Sequence, residues 1–160
     1  KGSPKTEPSR ARSLAVAAIR EACEETGLCL GCKADNGGTR RPNGVWQPFA
    51  DAGLLPDPSS LFLIARAITP PGRVRRFDTR FFTADISVIA HTVNGVVHAD
   101  AELVEVLWIE LGAPPHPDIH SMTQIVLDEL AVRLANGPLT NRTEVPFFHY
   151  RNGVLQRDTL

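Results

Sequence analysis

Arg20-Glu21-Ala22-Cys23-Glu24-Glu25-Thr26-Gly27-Leu28 is the stretch that decides which fold this chain can adopt. Just before it, Leu14-Ala15-Val16-Ala17-Ala18-Ile19 is apolar and fine-grained, which suits a helix packed closely against a sheet. Ser13 is a fitting N-cap and Gly27 a fitting C′ residue, so a helix of about 13 residues is predicted between them. At about 100° per residue, Glu21, Glu24 and Glu25 fall within an arc of roughly 100° on that helix. Carboxylates so placed repel one another, and like charges at i, i+4 destabilise a helix. A cation in front of them reverses the sign of that effect. Oxygen-only ligands suit hard Mg²⁺ or Mn²⁺ rather than zinc. Arg20 lies one turn before Glu24, where a charge-assisted hydrogen bond would fix that carboxylate's orientation. The plain alternative is a solvated acidic helix end.

Outward from this helix, Lys1 to Arg12 is polar and proline-containing and reads as a flexible lead-in. Leu28 to Ser60 is rich in glycine and proline, and reads as an irregular excursion or short helix packed by Trp46 and Phe49. Those two rings suit stacking on a base or, more commonly, anchoring a loop. Leu61 to Ile68 is an apolar run predicted as a strand and ended by Thr69-Pro70-Pro71-Gly72. Arg76 to Phe82 alternates strictly. Period two sends Arg76, Asp78, Arg80 and Phe82 to one face, and Phe77, Thr79 and Phe81 to the other. The charged face can contact substrate phosphates or can pair with itself; Arg73 and Arg75 make this the densest basic stretch in the chain.

Asn94-Gly95 predicts a hairpin between Ile89 to Val93 and Val96-Val97. Val104 to Ile109, with Trp108, reads as another strand. Asp118 to Ala135 is a second amphipathic helix, entered at Pro117 and stopped by Asn136-Gly137-Pro138. His116 and His120 read as its entry residues rather than as a metal pair. Val145 to Tyr150 and Val154-Leu155 form a closing strand pair across Asn152-Gly153. This order of elements argues for an α+β fold with a mixed sheet and helices on its faces.

With 160 residues, 42% hydrophobic and 22% charged, the chain suits one domain over 1–160. A formal net charge of −1 recommends neither nucleic acid nor an anionic membrane as a partner. No apolar run approaches the roughly 20 residues that span a bilayer, and the N-terminal stretch is no signal peptide. Cys23, Cys29 and Cys32 do not make a disulfide framework in a chain this long, which predicts free thiols and a cytoplasmic protein. Cys29-x-x-Cys32 lacks the second pair that a zinc site needs. The sequon Asn141-Arg142-Thr143 is a chance match.

Arg-Glu-x-x-Glu-Glu-x-Gly followed by an aliphatic residue is the second half of the Nudix box, met here at every charged position and at the glycine. Ala22 is smaller than the usual aliphatic residue. The chain thus resembles the Nudix hydrolase superfamily. The first half of the box asks for a Glu separated from the Arg by seven residues and a Gly separated from that Glu by five; Arg12 and Thr6 stand there instead. Thr69-Pro70-Pro71 and Arg76-Phe77-Asp78-Thr79-Arg80-Phe81-Phe82 are similar to the branch that holds the peroxisomal coenzyme A diphosphatases and bacterial relatives, whose boxes carry long insertions. On that resemblance, residues 1–12 are the tail of an insertion and a glycine-bearing strand lies upstream of residue 1. The likeness is strong over 14–30 and moderate over 61–82 and 100–134.

The resemblance implies an α/β/α sandwich and a hydrolase of the diphosphate linkage in a nucleoside diphosphate derivative, coenzyme A-like compounds included. It implies Mg²⁺ or Mn²⁺ as cofactor, with Glu21, Glu24 and Glu25 as its ligands (or one of them as general base) and Arg20 orienting them. A further ligand is expected from a downstream loop, where Glu102 and Glu105 rank equally, with Asp100 behind them. Arg76, Asp78 and Arg80 are candidates for substrate binding, and a homodimer is implied by the family alone. The rival expectation is a catalytically silent Nudix fold that binds or regulates, and Arg12 and Thr6 are its support.

Overall fold

A computed structural model of the chain describes residues 8–34, 44–140 and 144–160. In chain order its elements are helix α1 (Pro8–Thr26), strand β1 (Leu28–Lys33), helix α2 (Gln47–Asp51), strands β2 (Leu54–Pro56), β3 (Phe62–Ile68), β4 (Asp78–Thr83) and β5 (Ile89–Thr92), helix α3 (Ser121–Ala135), and strands β6 (Pro146–Arg151) and β7 (Val154–Thr159). The fold is α+β. The chain forms two compact units, one from Thr6–Leu61 with Ala84–Trp108, the other from Phe62–Thr83 with Ile109–Leu160.

In the first unit α1 starts at Pro8, five residues before the predicted cap. The expected lead-in is therefore helical over 8–12, while residues 1–7 lie outside the described residues, as does the sequon. Proline suits a first helical turn, and Arg10, Ala11 and Arg12 are good helix formers. Ser13 does not cap; its hydroxyl donates to the Ser9 carbonyl at 3.0 Å within the helix. Ala15, Ile19 and Cys23, spaced i, i+4, i+8, form the buried seam of α1.

Gly27 ends the helix as predicted. Its N–H donates to the Cys23 carbonyl at 3.0 Å, and its φ of 77° is the left-handed conformation that glycine adopts without strain. The chain then reverses into β1, which the sequence did not announce because Leu28–Lys33 holds a glycine and two cysteines among few β-formers. β1 is central to a three-stranded antiparallel sheet of order β2-β1-β5. Gly31 is required there, since a Cβ would stand 2.4 Å from the Leu55 carbonyl oxygen of β2. The reversal also lays the second residue of β1 on the buried seam of α1, and Cys23 is disulfide-bonded to Cys29. Free thiols were expected; only Cys32 is free, and it is exposed. Phe49 and Leu54 complete this core, with Trp46 edge-on to Phe49 at 5.5 Å between centroids, so these rings anchor the segment.

Two expectations fail in this unit. Gly95 does turn the chain with φ 76°, but Val96-Val97 form no strand, and β5 pairs with β1 on one side as an edge strand. Val104 to Ile109 is not a strand either. No described strand lies beside it, so its apolar pattern never becomes a ladder, and Trp108 is 82% exposed.

The second unit is a four-stranded mixed sheet of order β4-β3-β6-β7, with β3 and β6 parallel and the other pairs antiparallel. Asn152 and Gly153, at φ 52° and 77°, make the tight turn that their sequence signalled. One face of the sheet packs on α3 through Ile64, Ala65, Ala67, Val126 and Phe148. α3 begins at Ser121 rather than Asp118, because His120 is the cap: its Nδ1 accepts from the Met122 N–H at 3.1 Å. His120 is thus a helix-entry residue, as predicted. Among the described residues no helix is long and apolar enough to cross a membrane.

Candidate metal centre

The arc of Glu21, Glu24 and Glu25 lies on the side of α1 opposite Ala15, Ile19 and Cys23, as their spacing requires. Arg20 stands at its edge and donates from Nη1 to Glu24 Oε2, the interaction that the i, i+4 spacing predicted. It also donates from Nη2 to Glu21 Oε1. One guanidinium therefore holds two of the three candidate ligands.

Glu25 is different. Its carboxyl is held above the ordinary value for glutamate, first by partial burial, then by the negative charge of Glu102 and of Glu21, with a hydrogen bond to Glu21 and the charge of Glu24 adding in the same direction. The loop that follows β5 thus brings a fourth carboxylate to the helix. Of the two downstream candidates it is Glu102, not Glu105, whose charge reaches Glu25. Sequence spacing had ranked the two equally, because nothing local distinguishes them once the expected strand at Val104 is absent.

The donor set fits a hard divalent ion in chemistry, since it offers carboxylate oxygens only. It is not yet gathered as a cage, for among the described residues no three His, Cys, Asp or Glu side chains are arranged to enclose an ion. Glu21 and Glu24 would have to turn from Arg20 to share one.

The charged face of β4 belongs to the other unit. Asp78 accepts from Arg66 Nε and Nη2, both at 2.8 Å, and lies 3.4 Å from Arg80 Nη1. The hydrogen bonds to Asp78 push the Arg66 guanidinium up from its ordinary value. Arg76 donates through Nε to the Thr69 carbonyl at 3.2 Å. Of the two predicted roles for this face, self-pairing is the arrangement found. Arg66 interrupts the apolar run of β3. Its register opposite Arg80, diagonal to Asp78, is what gives it a role, and its guanidinium also lies 4.8 Å from the centre of the Phe147 ring.

Comparison of the chain with protein-family models, with curated proteins and with solved structures finds no match.

Proposed function

We propose that the chain is a Mg²⁺- or Mn²⁺-dependent hydrolase that cleaves the diphosphate linkage of a nucleoside diphosphate derivative, by its resemblance to the Nudix hydrolases. The observation that supports this proposal is that the charge of Glu102, from a distant loop, acts on Glu25 together with the charges of Glu21 and Glu24, so that Glu25 holds its proton more tightly than an ordinary glutamate. Negative charges that act together on Glu25 disfavour its ionised form, and a divalent cation is the partner that removes such repulsion. Glu21, Glu24 and Glu102 would hold the ion, with Glu25 beside them as the general base. When bound, the ion supplies charge neutralisation at the phosphates and a water of lowered pKa.

In this proposal the residues of the chain have distinct tasks. Arg20 orients Glu24 and Glu21 until they turn to ligands. Glu25, whose proton affinity is already raised, is suited to accept the proton of an attacking water. The same proposal has a nucleotide-type small molecule as the partner, with a homodimer carried over from the resemblance.

A second reading, a silent binding module, is favoured by one observation: Arg20 already neutralises Glu21 and Glu24. A single assay separates the two. The protein is incubated with dinucleoside polyphosphates, nucleotide sugars and coenzyme A, with Mg²⁺, with Mn²⁺ and with EDTA. Cleavage of at least one compound, lost in EDTA, is the expected result. Glu24→Gln is expected to lower that turnover about 100-fold or more. Its melting temperature should move little, since an exposed i, i+4 pair such as Arg20–Glu24 is worth about 0.3–0.5 kcal/mol. No turnover with any compound and either metal rejects the hydrolase in favour of the binding module.

A further inference from the structure

The second unit contains a cavity of about 740 Å³ where the loop between β3 and β4 meets the start of α3 and the end of β6. That volume lies within the range of small-molecule sites, roughly 300–1,000 Å³. We propose that this cavity binds a phosphate monoester whose other end is flat or apolar. The inference is independent of the hydrolase proposal, because every residue used belongs to 62–83 or 109–160.

The loop is built, not slack. At its neck the Thr69 N–H donates to the Phe77 carbonyl at 3.0 Å, and the Phe77 N–H donates to Thr69 Oγ1 at 3.0 Å. Arg76 adds its hydrogen bond to the Thr69 carbonyl. Pro70 and Pro71 stiffen the outgoing limb, and Gly72, at φ 85°, reverses it. Arg73 and Arg75 are thereby carried to the lining of the cavity.

Arg20, Arg66, Arg80, Arg133 and Arg157 each form an ion pair, whereas Arg73 and Arg75 form none among the described residues. Among the described residues the cavity lining contains no Asp or Glu, but it does contain the hydroxyl-bearing Ser121, Thr123 and Tyr150. Two guanidiniums, several hydroxyls and no carboxylate make a site for a multiply charged oxyanion, and a guanidinium fork matches phosphate in geometry. The first turn of α3, a helix of 15 residues, adds the positive end of its dipole.

The rest of the lining is apolar. Ile68, Phe77, Phe81 and Met122 contribute to it, and Phe77 is 60% exposed, an aromatic ring left in water beside the arginines. An inorganic ion would leave that surface uncovered. A phosphate ester with an aromatic or apolar body covers it while its phosphate meets Arg73 and Arg75.

The test is isothermal titration of the full chain in EDTA with four probes: phenyl phosphate, inorganic phosphate, benzoate and benzyl alcohol. Phenyl phosphate is expected to bind at millimolar concentration or below, at least about fivefold tighter than each of the others. Arg73→Ala/Arg75→Ala is expected to weaken it about tenfold or more, and Phe77→Ala about threefold or more. Both variants alter exposed side chains, so circular dichroism should show an unchanged fold. Glu24→Gln, in the other unit, should bind phenyl phosphate like the wild type. Absence of binding up to about 10 mM, equal affinity in the double arginine variant, or benzoate or inorganic phosphate binding as tightly as the ester would each overturn the inference.

Discussion

Gly27→Ala is the substitution for which the structure gives the clearest magnitude. An alanine there must keep φ near 77°, which costs about 1 kcal/mol for a side chain in the left-handed region. Its Cβ would also stand 2.2 Å from the Val93 carbonyl oxygen, a backbone atom that cannot swing aside. Relief requires moving β5 and its connection off α1, and that weakens the hydrogen bond from the Val93 N–H to the Gly27 carbonyl, 2.9 Å long. Losing one such bond costs about 1 kcal/mol, and the displacement of packed backbone about as much again. The expected total is about 3 kcal/mol. Gly53 supplies the control: its φ of 66° is similar, but a Cβ there meets nothing within 4 Å. Gly53→Ala should therefore cost only the conformational part, about 1 kcal/mol. Urea unfolding of both variants, followed by circular dichroism, reads the difference. If Gly27→Ala costs no more than Gly53→Ala, the close approach of Val93 to the end of the carboxylate helix is wrong.

Other perturbations have definite outcomes. A folded-state pKa raised above 4.5 at Glu25 means that the folded chain holds that proton more tightly, so stability falls as pH rises through the raised value. Glu25→Gln removes that slope. Relative to wild type it should be neutral at pH 4 and more stable at pH 7 in metal-free urea titrations, and a difference independent of pH would show that the carboxylates are not crowded. Phe49→Ala empties a site 1% exposed and should cost about 3–5 kcal/mol; a loss under about 1 kcal/mol would remove Phe49 from the core. Asp78→Asn leaves Arg66 and Arg80 facing a neutral amide and should cost about 1–2 kcal/mol, a loss that salt reduces; no change in the urea midpoint would mean that the pairs on β4 do not contribute.

The sequence revealed elements that carry their own signal. The α1 face, Gly27 as its terminator, β3, β4, α3 and the turn at Asn152-Gly153 all follow from periodicity or from residues with restricted backbone preferences. The parts that were not legible depend on partners distant in the chain. β1 has few β-forming residues and exists because β2 and β5 flank it. Val104 to Ile109 has the pattern of a strand and lacks a neighbour. Asn94-Gly95 turns the chain, but no described strand returns along the outer edge of β5. At the candidate site the spacing of Arg20, Glu21, Glu24 and Glu25 was readable, including the hydrogen bond from Arg20 to Glu24. The reach of Glu102 rather than Glu105 was not, since it depends on how the segment after β5 bends.

The boundaries of the two units have a consequence for how the protein can be taken apart. The polypeptide passes from one unit to the other at 61/62, 83/84 and 108/109, so β3 and β4 interrupt the sequence of the unit that carries α1. A single truncation can never liberate either unit whole. Removing Ile109–Leu160 still leaves β3 and β4 inserted in the other unit's sequence, so isolating the carboxylate-bearing portion calls for splicing Leu61 to Ala84 through a short artificial bridge.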